Sequence, residues 1–199
     1  MDRQESNDID YRYALFGGSF NPPHLGHLYI AEELHKIYTH TKLIIMPCYV
    51  PPHKEVSVAI PPSDRIELIK ILFKGLSWVT ADTYEIEKKN ISYSIETVSY
   101  FKEKKNITKK LIWVIGDDLV DELDTWKEYR RLTDEAVFFC FNREKKEFPE
   151  KRSVVFHSVK PFEACSSEIR DLIRRKETNE LKKYLSEEEI RYIDEKGLY

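Results

Sequence analysis

Short apolar runs alternate along this chain with longer segments in which apolar residues recur every three or four positions. RYALF (12–16) predicts a buried strand that ends at Gly17-Gly18. From about Gly26, Leu28, Ala31, Leu34 and Ile37 share one face, the spacing of an amphipathic helix. KLIIMP (42–47) is a second buried strand, followed by the proline-punctuated loop CYVPPHKEVSVAIPPS. Ser63 is placed to cap a helix with Ile66, Ile69, Leu72 and Phe73 inside, closed by Gly75. SWVTAD (77–82) is a third strand and Ser94 to Lys105 a further helix. LIWVIG (111–116), VFFCF (137–141) and SVVFH (153–157) complete the strands. The tail reads as helical: SSEIRDLIRR, then EEEIRYIDEK, opened by a capping box from Ser186 to Glu189 and stopped by Gly197.

Strands apolar on both faces, alternating with helices, predict an α/β fold with a parallel sheet covered on two sides. The polar start, MDRQESNDIDY, reads as a flexible arm over residues 1–11, leaving 12–199 as a single domain. That start is no secretory signal, and no apolar stretch approaches the ~20 residues of a membrane helix, so a cytoplasmic protein is expected.

Composition narrows the chemistry. The 199 residues carry a net charge of −3, which argues against a protein whose main task is coating nucleic acid. Cys48, Cys140 and Cys165 are widely spaced and form no CxxC pair, so they read as reduced and mostly buried. With only six glycines, neither GxGxxG nor GxxxxGK[ST] can be written, and any phosphate must be held another way.

The informative stretch is GGSFNPPHLGHL, residues 17–28. In an open α/β sheet, ligands sit where the first strand hands over to its helix. Gly17 and Gly18 let backbone amides approach a ligand, and Pro22-Pro23 stiffens the loop. His24 and His27 are three apart, so at a helix start both imidazoles face one way, and Gly26 leaves room for a ring or phosphate. The helix N-terminus adds its own attraction for an anion. Two zinc ligands are the rival reading, but no third suitable ligand lies nearby and the GG and PP neighbours favour a shaped loop.

The segment resembles the HxGH signature of the nucleotidyltransferases, which transfer a nucleotidyl group from ATP or CTP to a phosphate. Four further segments occur in the order of the bacterial nicotinate-nucleotide adenylyltransferases: VPPHK (50–54), NISYSIETV (90–98), IGDDLVDELDTW (115–126) and ACSSEIR (164–170), with a closing GLY. The resemblance covers nearly the whole chain after the arm. It implies a Rossmann-like, doubly wound parallel sheet with a helical C-terminal end. It also implies that ATP and nicotinate mononucleotide are joined to give deamido-NAD and pyrophosphate.

Residue by residue, the resemblance implies that His24 and His27 stabilise charge on the α-phosphate, where imidazole donors suit an in-line displacement. Lys54 and Arg170 would neutralise phosphates. Gly17, Gly18, Ser19, Phe20, Gly26, Gly116, Ser166 and Ser167 would line the ATP site, with Asp118 holding a ribose. Gly18, Ser19, Cys48, His53, Lys54, Tyr93, Ser94 and Trp126 would line the mononucleotide site, the indole serving as a platform for the pyridine. Free amides where Tyr93-Ser94 opens a helix would grip the nicotinate carboxylate. Magnesium would arrive on ATP, with no protein side chain as its ligand. The acceptor phosphate is already an anion near neutrality and needs no general base.

Some positions depart from the common pattern: Ser19 and Ser94 stand where threonine is frequent, Ser167 likewise, and Asn21 where aspartate is frequent. Asn21 removes a charge, so metal binding is not assigned there. A sibling transferase for phosphopantetheine or a CDP-linked product would need another acceptor pocket, a pure nucleotide sensor would not need the intact histidine pair, and a class I aminoacyl-tRNA synthetase would need a longer chain. Oligomeric state, a homo-oligomer included, stays open at this point, as does tolerance of the amide mononucleotide.

Overall fold

The structure, a computed structural model, describes residues 7–50, 60–142, 153–162 and 164–199. Its strands are β1 (Ile9–Gly18), β2 (Lys42–Pro47), β3 (Val79–Ala81), β4 (Lys110–Gly116), β5 (Ala136–Asn142) and β6 (Val154–Ser158), all pairing in parallel in the order β3-β2-β1-β4-β5-β6. This is the Rossmann-like, doubly wound arrangement. The helices are α1 (Leu25–Ile37), α2 (Pro62–Leu72), α3 (Tyr84–Lys88), α4 (Ser94–Lys105), α5 (Tyr129–Glu135), α6 (Ser166–Arg174), α7 (Thr178–Leu181) and α8 (Glu187–Lys196). A 3-10 stretch, Asp117–Thr125, follows β4.

Period-two alternation divides the central strands between two cores. Ala14, Phe16, Leu43, Ile45, Ile112 and Val114 face α1 and α2, packing with Ala31, Leu34, Ile69 and Leu72. Leu15, Ile44, Met46, Leu111, Trp113 and Ile115 face the other way, against Ile95, Val98 and Phe101 of α4 and Leu132 of α5. Both faces are buried, which is why these strands read as unbroken apolar runs. A third cluster, Leu68 on α2 with Ile169, Leu181, Leu185, Ile190 and Ile193, docks the C-terminal helices onto the outer side of α2.

The chain turns to opposite sides after β1: β2 is its neighbour on one side and β4 on the other. A crevice therefore opens beyond the carboxyl ends of β1 and β4, at Gly17-Gly18 and Gly116.

Three expectations change. β1 starts at Ile9, inside the segment read as an arm, because Asp10 is buried in a fork of hydrogen bonds from Arg12 (2.6–3.1 Å) that also holds its carboxyl below the usual carboxylate range. The second long helix is opened by Pro61 and Pro62 and not capped by Ser63; a proline at N1 is already set for helical φ. Ile66 is only half-buried there, while Arg65 and Leu68 lie inside. Other predicted features stand: α4 spans Ser94–Lys105, and Ser186 and Glu189 form both halves of the capping box. Cys48 and Cys140 are buried and Cys165 is exposed.

Candidate active site

Two cavities open at the crevice and share a wall made of Gly17, Gly18, Ser19 and Leu119. The larger, about 470 Å³, lies between the first loop, the start of α1 and the start of α6. The smaller, about 140 Å³, lies between the end of β2, α3, the start of α4 and the 3-10 stretch.

His24 sits at the N-cap of α1 and is buried. Its ring lies 3.8 Å from that of His27, centroid to centroid. The backbone N–H of His24 donates to Nδ1 of His27 at 3.1 Å. That bond makes Nδ1 the acceptor, so the ring proton of neutral His27 resides on Nε2. Phe20 and Phe16 pack against the same ring at 4.8 and 5.8 Å, fixing its plane. A Cβ on Gly26 would stand 2.9 Å from Nδ1 of His24 and 3.2 Å from the Phe162 ring, so only glycine lets these two rings pack this closely on the backbone.

The start of α6 closes the far side. Ser166 Oγ donates to the carbonyl of Pro22 at 3.0 Å, and Arg170 donates to that of Asn21 at 2.7 Å. The Asn21 amide oxygen in turn accepts from the Tyr199 hydroxyl at 2.9 Å. Asn21 thus ties the loop to α6 and to the C-terminal residue. The exposed Cys165 thiol, 2.8 Å from Ser167 Oγ, is pulled below its usual range by that hydroxyl.

All twelve residues expected around ATP line the larger cavity: Gly17, Gly18, Ser19, Phe20, His24, Gly26, His27, Gly116, Asp118, Ser166, Ser167 and Arg170. Gly18, Ser19, Cys48, Tyr93, Ser94 and Trp126 line the smaller one. His53 and Lys54 lie outside the described residues. Among the described residues, no group of three or more His, Cys, Asp or Glu converges on a metal position.

Three aromatic side chains, Tyr93, Trp113 and Trp126, line the smaller cavity. Trp126 stands edge-on to Phe138 (5.8 Å, 89°), and its buried indole N–H has no partner among the described residues. Tyr93 is the N-cap of α4, so amides without intrahelical partners begin at Ser94. Lys127 lies 4.1 Å above the Tyr93 ring, held by Glu96 at 2.7 Å. Burial pushes the Cys48 thiol up to about 11, so it lines the wall as a neutral group.

Several lining or supporting groups were not anticipated. Glu85 on α3 is buried in the smaller cavity's wall; its carboxylate accepts from Thr97 Oγ1 at 2.5 Å, and burial raises its pKa despite that bond and one from Ser92. Ser92 Oγ accepts from the N–H of Tyr49 at 3.2 Å, so Glu85 helps pin the floor on which Tyr93 and Ser94 stand. Phe162 lines the larger cavity beside Tyr29. Arg65, buried on α2, supports both walls. One signal existed for Arg65: positions 65, 68, 69 and 72 form the buried stripe of α2.

Residues 15–172 match the family described as cytidylyltransferase-like. The chain is 33% identical over 200 residues to a "Probable nicotinate-nucleotide adenylyltransferase" of Clostridium botulinum (strain Alaska E43 / Type E3), spanning 94% of this chain and 98% of the relative. The chain belongs to the nicotinate-nucleotide adenylyltransferase family. A relative with the same name from Clostridium acetobutylicum is 35% identical over 178 residues, spanning 82% of this chain and 88% of its own. Among solved structures, the nicotinic acid mononucleotide adenylyltransferase of Plasmodium falciparum complexed with NaAD superposes with a TM-score of 0.79, at 18% identity over 94% of this chain and 96% of that one. That likeness bears on the fold. Membership makes the protein a nucleotidyltransferase enzyme, with its crevice in the place the fold reserves for nucleotides.

Proposed function

We propose that this enzyme transfers the adenylyl group of ATP to nicotinate mononucleotide, giving deamido-NAD and pyrophosphate in the cytoplasm. The observation that carries the reading is the pair of cavities with one shared wall, the histidine pair on the larger and Trp126 on the smaller. The relatives' names support it, and it is in keeping with the NaAD bound by the Plasmodium falciparum enzyme of the same fold.

In this reading ATP occupies the larger cavity. Gly116 and Asp118 take the ribose side, while Ser166, Ser167, the first amides of α6 and Arg170 hold the β- and γ-phosphates. The mononucleotide occupies the smaller cavity, its pyridine on Trp126 and its carboxylate at the amides of Tyr93-Ser94, with His53 and Lys54 assigned to its phosphate. At the shared wall an oxygen of that phosphate attacks the α-phosphorus of ATP. The new P–O bond forms as the bond to the bridging oxygen breaks, and pyrophosphate leaves with the electron pair. There is no covalent enzyme intermediate. His24 and the Nε2–H of His27 donate to the oxygens on which charge grows. Magnesium arriving with ATP would supply further charge neutralisation, with no side chain of this chain assigned as its ligand.

The test is pyrophosphate release by purified protein with magnesium, ATP and either mononucleotide. Release with the acid, well above that with the amide, is expected. No release with the acid, or equal or faster turnover of the amide, contradicts the reading.

A further inference from the structure

Arg65 touches neither cavity yet holds both. It is carried by α2, which packs on the sheet through Ile69 and Leu72 and on the C-terminal helices through Leu68. Tyr192 of α8 adds a hydrogen bond to the neighbouring Asp64 at 2.8 Å. From this support the Arg65 side chain, 4% exposed, sends one terminal nitrogen to two carbonyl oxygens: Ser19 at 2.8 Å and Cys48 at 2.6 Å. Ser19 is on the wall common to both cavities, and Cys48 is on the wall of the smaller one. The bonds are charge-assisted and buried, so each is stronger than a neutral one. Its Nε is buried with no hydrogen-bond partner among the described residues, which carries a desolvation cost.

The Ser19 carbonyl belongs to the peptide whose N–H is on Phe20. Phe20 is buried with φ 47°, a left-handed backbone that a side-chain-bearing residue adopts only when its surroundings impose it. Arg65 fixes that peptide from one side. From the other, the Phe20 ring packs against His27. The Cys48 carbonyl is held likewise, and the N–H of the same peptide, on Tyr49, donates to Ser92 beneath the smaller cavity. One guanidinium is therefore linked through backbone to the phosphate-facing imidazole on one side and to the acceptor floor on the other.

We infer that Arg65 is a positioning residue that sets the distance between the two cavities by tying the carbonyl of Ser19 to that of Cys48, so that the two bound phosphates meet in line. The inference rests on the two-substrate reading above. It separates binding from reaction: each cavity keeps its own recognition groups, and only the alignment across the shared wall depends on Arg65.

The experiment is steady-state turnover of Arg65→Met and Arg65→Lys, with calorimetric dissociation constants for ATP and for nicotinate mononucleotide each measured alone. Arg65→Met is expected to lower kcat ~100-fold, the scale of an ångström-sized misplacement, with both dissociation constants within about threefold of wild type. Arg65→Lys keeps the charge but ends about one bond short and lacks the planar fork, so it recovers part of the loss, to ~10-fold below wild type. A kcat within about threefold of wild type in a folded variant, or dissociation constants weakened as much as kcat falls, overturns the positioning role. If Arg65→Met does not fold, Arg65→Lys decides on the same terms. A wild-type protein that releases no pyrophosphate brings down the functional reading, and this inference with it, whatever the variants do.

Discussion

The two cavities are lined with different materials. The larger is rimmed by donors: two imidazoles, a guanidinium, serine hydroxyls and the start of α6, an inventory suited to a polyanion. The smaller is walled by two indoles, a tyrosine, a neutral thiol and a buried carboxyl, an inventory suited to selection by shape. Charge recognition tolerates an open site, because Coulomb attraction and helix dipoles act over several ångströms. Shape recognition does not, because a flat ring is held only by surfaces in contact. The difference predicts that damage to the larger cavity falls on catalysis and damage to the smaller one on acceptor affinity.

The most severe break should come at His27. Replacing it with Ala removes a donor from the developing charge, and kcat should fall ~10²–10³-fold while the ATP dissociation constant moves little. Unchanged turnover would erase the catalytic meaning of the larger cavity. A second change tests the scaffold beneath both. Glu189 is fully buried, and burial raises its carboxyl to about 7 although Ser186 donates to it twice. Its neutral form is the one the fold prefers, so its contribution to stability is complete below the unfolded value near 4.5 and is lost as pH rises through 7. Glu189→Gln should match wild type in melting temperature at low pH and exceed it at pH 8, by ~3 kcal/mol at most, with kcat unchanged. Equal melting at both pH values would contradict the sign. Smaller still, Trp126→Ala should raise KM for the mononucleotide about tenfold and spare KM for ATP, as loss of one aromatic platform implies. If instead KM for ATP rises, the assignment of substrates to cavities is reversed.

The same contrast explains what the amino-acid sequence disclosed. Glycines 17, 18 and 26, the histidine pair and the two serines before Arg170 are contiguous motifs, because anion binding uses backbone amides and near neighbours at loop-to-helix junctions. The strands were readable for a related reason: a sheet buried on both faces needs unbroken apolar runs, and LIWVIG and VFFCF supply them. Glu85 and Arg65 were not readable as site components. In one-letter form a buried charge looks like a surface charge, and what makes each one functional is a partner 12 to 46 positions away. The start of β1 was missed in the same way, since only the Arg12 fork makes a buried Asp10 tolerable. Ser63 misled for a local reason: two prolines just before it set the helix start first.

The central claim is that two substrates meet at the wall shared by the cavities, and a crystal structure with bound deamido-NAD tests it most directly. The account predicts the pyridine against Trp126, the adenine in the larger cavity near Gly26 and Phe162, and a bridging phosphate oxygen within hydrogen-bond reach of His27 Nε2. A dinucleotide lying in one cavity alone, or with its two rings exchanged between them, would contradict it.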